Sequence, residues 1–333
     1  MKNLFKALSA ICFFSALSGC STDFDVVAPY KELIVVNGLL DPLDSIHYVR
    51  ISKAFLGEGN VYEMASVSDS VNYADVLDVK LERWYAGDFL ESYPMTRDTS
   101  VPKDSGAFAY PFQVLYGTTH AILQDGSEYR LVVTNTQTGV TATSKTKVVK
   151  DVHVNTPIPG TTIDLVSAYP SPVLVQFDPG ANTAFLDLIV RFRYREIDPN
   201  GVSTEKYVDW NFEDKNSGSA SLQFRYYKYN FFQHLGNNIP EKPGFTRRVD
   251  SLADGKAPFE YIMIGGSEDL QTYMALNNSS GGLVQDRPTF STVNNGLGLF
   301  TGRVLHKEYR NFSASTQAAF DTISYVRNLN FQF

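Results

Sequence analysis

The chain has 333 residues, a formal net charge of −7 and two cysteines, with 19 Tyr and 23 Phe against 5 Met and 2 Trp. An acidic balance argues against nucleic acid as a partner, and two cysteines cannot build the framework of a small disulfide-stapled module. The aromatic composition favours strands, and the length suits one large domain or two ordinary ones.

Lys2 and Lys6 lead into an apolar stretch from Ala7 to Leu17, too short to cross a bilayer and suited to the hydrophobic region of a secretory signal. Leu17-Ser18-Gly19-Cys20 closes that stretch as a lipobox: a large apolar residue three before the cysteine, small residues between, and one thiol free to take diacylglycerol. Residues 1–19 are read as a lipoprotein signal peptide, and Cys20 as the acylated N-terminus of the mature chain, anchored to the membrane through palmitate-type chains and not spanning it. At about 0.8 kcal/mol per buried CH₂, the three chains of a mature bacterial lipoprotein hold indefinitely. The plainer alternative is a secretory signal followed by a chance cysteine. Cys20 would then have no disulfide partner, because Cys12 leaves with the signal. Residues 20–29 form the expected lipidated tether, in which Asp23 and Asp25 resemble the acidic export signal of Bacteroidota surface lipoproteins. The expected location is the outer membrane, facing outward in preference to the periplasm.

Folded structure is expected from residue 30. The run Leu33 to Leu40 and the alternating segment Ile46 to Phe55 read as two strands around Asp41-Pro42, with His47 sharing a strand face with Val49 and Ile51. Gly57 to Asn72 reads as a long connection. Leu77, Val79 and Leu81 alternate with Asp78, Lys80 and Glu82, as a half-buried sheet face requires. Leu123 lies six residues before Tyr129, with a turn between them and a strand after. That spacing resembles the tyrosine corner of immunoglobulin-like and fibronectin III-like sandwiches, in which a buried phenol bonds an upstream backbone group. A strand from Val140 to Val149 completes about seven, so residues 30–154 are read as an N-terminal β-sandwich domain.

Asn155-Thr156-Pro157-Ile158-Pro159-Gly160 suits a linker, and residues 161–333 are read as a second β-rich domain with a few short helices. Val173 to Phe177 and Leu186 to Tyr194 are expected strands, the latter returning through Asp198-Pro199-Asn200-Gly201 to Tyr207–Phe212 as a hairpin. Helices are expected around Asn230 to Leu235, stopped by Gly236; from Glu268 to Asn277, capped by Ser267; and around Ser315 to Tyr325. The fold class expected is therefore mainly β.

Four features together carry a resemblance to a known family: the lipobox, the run Lys31 to Leu40, Ala54-Phe55-Leu56-Gly57, and Asn295-Gly296-Leu297-Gly298-Leu299-Phe300. In their order and spacing the chain resembles the Bacteroidota lipoprotein family catalogued as domain of unknown function 4249. The resemblance implies an outer-membrane lipoprotein, often encoded beside a TonB-dependent receptor, with no catalytic residues to carry over.

The motifs of chemistry are sparse. The five histidines, His47, His120, His153, His234 and His306, are dispersed with no metal-ligand spacing, so no metal and no cofactor is expected. Asp41-Pro42-Leu43-Asp44 and Asp198-Pro199-Asn200-Gly201 lack the alternate carboxylates of a calcium loop and make good turns. Gly265-Gly266-Ser267 reads as a strand end and helix cap in preference to a nucleophile elbow, and Asn295-Gly296-Leu297-Gly298 lacks the third glycine and basic residue of a phosphate loop. Two candidate binding faces remain. Arg191, Arg193 and Arg195 share one strand face and would meet an anionic glycan or lipid headgroup, or else be balanced by neighbouring acids. Tyr226, Tyr227 and Tyr229, in the aromatic run Phe224 to Phe232, would stack sugar rings, or else divide between core and surface. The functional expectation is a non-catalytic accessory component of a TonB-dependent nutrient-uptake system. Its partners are the membrane, a receptor barrel and a glycan or peptide ligand, and nucleic acid is excluded. An adhesion or envelope lipoprotein is the alternative, and a hydrolase without a recognisable motif the third reading.

Overall fold

Alternation decides where strands form in this computed structural model, which describes residues 32–54, 60–166, 172–216, 222–249, 252, 254–278 and 290–333. Leu17, Ser18, Gly19, Cys20, Asp23 and Asp25 lie outside the described residues. The fold is mainly β, with several sheets and a few short helices.

β1 (Ile34–Leu40) buries Ile34, Val36 and Leu40 on one face and pairs antiparallel with β2 (His47–Lys53), which buries Val49 and Ile51 on the same side. His47 joins that face, its Nε2 bonded to the Ala121 carbonyl at 3.0 Å. The stretch expected to be a plain connection contains two short helices. Asn60 caps α1 (Val61–Ser66) by accepting the Tyr62 N–H at 3.0 Å, and α2 (Ser68–Val71) follows directly. β3 (Leu77–Tyr85), β4 (Asp88–Pro94), β7 (Glu128–Asn135) and β8 (Thr141–Lys147) form a sheet in the order β4-β3-β7-β8. β5 (Thr96–Pro102) and β6 (Phe112–Thr118) extend the other sheet beside β2. Val79, Leu81, Leu131 and Val133 from the first sheet meet Val36, Val49, Ile51 and Tyr116 from the second in one core, which makes the pair a sandwich. Tyr129 is fully buried in that core. Its hydroxyl donates to the Ile122 carbonyl at 3.2 Å and accepts the Gln124 N–H at 3.0 Å, so it holds the turn before its own strand.

The second half builds a separate apolar core. β9 (His153–Thr156) takes in the first two residues of the expected linker and pairs with β10 (Val173–Asp178), which also pairs with β13 (Leu222–Tyr226). β11 (Phe185–Ile197) and β12 (Ser203–Asn216) form a long hairpin, in which Asp198 accepts the N–H groups of Asn200 and Val202 at 2.8 Å each. α3 (Lys228–Asn238) buries Phe231, Phe232 and Leu235. It runs past Gly236, where a stop was expected, since that glycine keeps a helical φ; its lack of a side chain admits the Tyr325 carbonyl. β14 (Thr246–Arg248), β15 (Phe259–Gly266) and α4 (Glu268–Asn278) follow, then β16 (Gly296–Arg310), α5 (Ala314–Thr322), a 3₁₀ turn at Arg327–Leu329 and β17 (Phe331–Gln332). Ser267 accepts the Leu270 N–H at 3.3 Å at the start of α4, as expected for its cap. α5 is capped by Ser313 and ends three residues before Tyr325.

One strand joins the halves. Gly296 to Gly302 of β16 pair parallel with β1, and Arg303 to Arg310 pair antiparallel with β15. Phe300 accordingly sits in the first core and Val304 in the second. The resulting sheet, in the order β17-β14-β11-β15-β16-β1-β2-β6-β5 with β12 on β11, runs straight across the division expected at 155–160. At the seam, Gly298 has φ +112°, and the Val36 carbonyl lies where its Cβ would be. Only a residue without a side chain lets the two backbones approach this closely.

Candidate functional site

The seam leaves its outward residues facing α4. β1 presents Leu39, β6 Leu115 and β16 Leu299, while α4 lays Leu270 and Tyr273 over them; with Tyr48 and Arg50 of β2, Ile46, Asp44 and Arg303 they border a groove of about 510 Å³. Leu270 and Leu299 pack with Phe185, which seats the helix on the sheet. Apolar residues therefore occupy both faces of β1 and β16, where a sheet open to water on one side would alternate with polar ones.

The charged groups of the groove are unevenly engaged. Arg303 has its Nε 3.6 Å from Asp41 Oδ2, too long for a hydrogen bond, and that nitrogen is buried with no acceptor among the described residues. Asp41 is fully buried, and burial pushes its carboxyl above the ordinary carboxylate range even though its Oδ1 accepts the Leu43 N–H at 3.0 Å. Arg50 lies over the Phe108 ring, 5.5 Å from its centroid. Tyr48 donates to Asp98 Oδ2 at 3.3 Å and, with Ile46, separates the groove from a second, more polar hollow of about 440 Å³ lined by Thr96, Arg97, Asp98 and His120.

No protein-family model matches this chain. No curated protein matches it either. The likeness to domain of unknown function 4249 rests on residue runs alone, and two of those runs are paired in the fold: Val36 lies opposite Gly298, and Gly38 opposite Phe300.

The expected binding faces are distributed differently from the groove. Arg191 makes a bidentate pair with Asp209 at 2.7 and 2.8 Å and lies over the Tyr207 ring, and its hydrogen bonds to Asp209 hold it more firmly charged. Arg193 reaches Asp254 at 2.8 Å and Glu205 at 3.9 Å, and the half-buried Arg195 on the same face is engaged as well. Acids balance this face. In the aromatic run, Tyr226 is buried and its hydroxyl meets that of Tyr261 at 2.7 Å, so burial drives its phenol well above 10. It belongs to the core and not to a binding face, because period 2 along β13 sends Phe224 and Tyr226 inward together. Tyr227 and Tyr229 are exposed at the start of α3. Leu123 packs partly buried against the first core, one residue from both partners of the Tyr129 hydroxyl.

Among the described residues no group of three His, Cys, Asp or Glu side chains is placed to hold a metal ion. His306 is committed to carboxylates on both ring nitrogens, Asp151 at 2.8 Å and Glu308 at 3.2 Å, which raises its pKa and leaves no nitrogen for a substrate. The groove offers apolar walls and two arginines, the chemistry of binding.

Proposed function

We propose that the protein is an outer-membrane lipoprotein, anchored through Cys20, that works without catalysis as the ligand-binding accessory of a TonB-dependent uptake system. The observation that carries a binding role is the groove itself. Strands from the first half of the chain and a strand and helix from the second assemble it, and junctions of this kind are where ligand sites concentrate. Its lining offers apolar area and cations.

The lipobox, the acidic pair Asp23 and Asp25 and the family resemblance support the location and the partner. A tether over residues 20–29, at no more than about 3.3–3.6 Å per residue, keeps the fold within about 30 Å of the bilayer. A receptor barrel lies in the same plane, so a weak interface is sufficient at the high effective concentration this imposes. Mild-detergent extraction followed by affinity purification is expected to recover a TonB-dependent receptor in near-stoichiometric amount, and Cys20→Ala is expected to abolish that recovery together with membrane fractionation. Recovery of the lipoprotein alone, with and without crosslinking, from cells expressing the neighbouring receptor would overturn the uptake reading in favour of an adhesion or envelope role.

A further inference from the structure

We propose that the groove under α4 binds a single-chain amphiphile with an anionic headgroup, the headgroup on Arg303 and the chain along Leu39, Leu115, Leu270 and Leu299. The inference rests on the reading that this groove is the ligand site, and it names the class of molecule the site takes.

Size comes first. About 510 Å³ falls within the roughly 300–1,000 Å³ of small-molecule sites. It would hold about seventeen heavy groups if each occupies about the 30 Å³ of a water molecule, room for a twelve-carbon chain and its headgroup. The walls come next. Leu115, Leu270 and Leu299 are each less than one-tenth exposed, so the apolar surface that seats the helix continues into the groove, interrupted on β1 by the exposed Asn37 beside Leu299. Burying a chain there returns roughly 25 cal/mol per Å² of apolar surface removed from water.

Charge decides the headgroup. The Arg303 side chain is two-thirds buried; its Nε is turned inward to Asp41 at 3.6 Å, so the donors it offers the groove are its terminal guanidinium nitrogens, which make no hydrogen bond among the described residues. Asp41, the carboxylate behind it, pairs with it at 3.6 Å, beyond hydrogen-bond reach. A guanidinium placed this way retains donors for a carboxylate or phosphate, to which its planar fork donates bidentately. Arg50, the second cation of the groove, is engaged only by the Phe108 ring among the described residues. The opposing acid in the lining, Asp44, sits exposed on a turn, where water and salt screen it. With Asp41 pairing Arg303 from behind, the lining itself carries two arginines against one exposed acid, so the groove selects an anion over a cation.

Titration calorimetry on the acyl-free mature chain, Ser21 to Phe333, with submicellar dodecanoate, dodecyl phosphate, dodecanol and dodecyltrimethylammonium tests this. Dodecanoate or dodecyl phosphate is expected to bind one to one, at least tenfold more tightly than the trimethylammonium analogue. Arg303→Gln should weaken the anion at least tenfold and leave dodecanol within twofold, because a hydrogen bond to a charged group is worth about that factor. Arg50→Gln, an outward change that leaves the buried Asp41 untouched, should weaken the anion about threefold, and it decides the matter if Arg303→Gln fails to fold. No binding of either anion, equal affinity for the cationic analogue, or anion affinity unchanged in every folded variant would overturn the proposal. Receptor recovery without amphiphile binding overturns this inference alone. Amphiphile binding without receptor recovery overturns only the uptake reading.

Discussion

Replacing Gly298 by alanine is expected to unfasten the two halves of the molecule, and a second glycine provides the control. Gly298 and Gly87 both have positive φ, +112° and +97°, so alanine at either pays the same kind of backbone penalty, about 1–2 kcal/mol. Part of that is offset by the unfolded chain's lower entropy, roughly 0.4–1 kcal/mol. At Gly87 nothing lies within 4 Å of the added Cβ, so the net loss there should be about 1 kcal/mol. At Gly298 the added carbon falls on the Val36 carbonyl, a backbone atom that moves only if β1 leaves β16. That movement breaks seam hydrogen bonds at about 1 kcal/mol each and loosens Phe300, which is fully buried in the first core. A loss of about 4 kcal/mol or more follows for Gly298→Ala, roughly 3 kcal/mol beyond its control. Urea unfolding of the chain from Ser21 to Phe333, followed by far-ultraviolet circular dichroism, measures both. Equal losses for the two variants would refute the claim that the seam depends on backbone contact at Gly298.

Tyr129→Phe keeps the ring but strips the bonds to Ile122 and Gln124, and should cost about 0.5–1.5 kcal/mol, or more if the partners stay dry; denaturation curves coincident with wild type would contradict this. Arg247 is 1% exposed and donates to Glu196 at 3.0 Å, the Pro240 carbonyl at 2.8 Å and the Leu329 carbonyl at 2.6 Å. Arg247→Met leaves the buried Glu196 with Lys242 alone and should cost about 3–5 kcal/mol by the same unfolding assay, a loss below 1 kcal/mol telling against it. The hydrogen bond His306 donates to Asp151 raises the His306 pKa above the ordinary 6.5, so His306 adds stability that is complete below pH 6.5 and disappears as pH rises through the raised value. In His306→Gln the thermal midpoint between pH 5.5 and 8.5 should lose that alkaline decline, and a profile parallel to wild type would exclude the linkage.

Period and turn chemistry made the strands legible, because Leu77 to Leu81 and Phe185 to Ile197 alternate cleanly and Asp198 to Gly201 closes a hairpin wherever it sits. Partners were not legible. Nothing in Gly296 to Phe300 states that its neighbour is β1, since pairing is decided by three-dimensional closure and not by local pattern. The groove was hidden for the same reason: Leu39, Leu115, Leu270 and Leu299 come from four segments far apart in sequence. One signal was available in the run Leu33 to Leu40, which is apolar at successive positions and so announces a strand covered on both sides. The helices at Val61 and Ser68 went unread because each is too short for periodicity to register, although Asn60 and Glu63 mark the first of them.

The β1–β16 seam also sets a schedule. A polypeptide is made from its N-terminus, so β1 exists, paired to β2 along one edge and bare along the other, throughout the synthesis of everything up to Gly296. An apolar strand with an open edge is the feature through which unfinished chains stick to one another. The first sandwich therefore cannot close as a finished unit on emergence. It waits, with its first core lacking Phe300, until the far strand arrives. Contacts of such long sequence separation fold slowly, which gives chaperones that shield bare edges the most to do on this molecule before β16 docks.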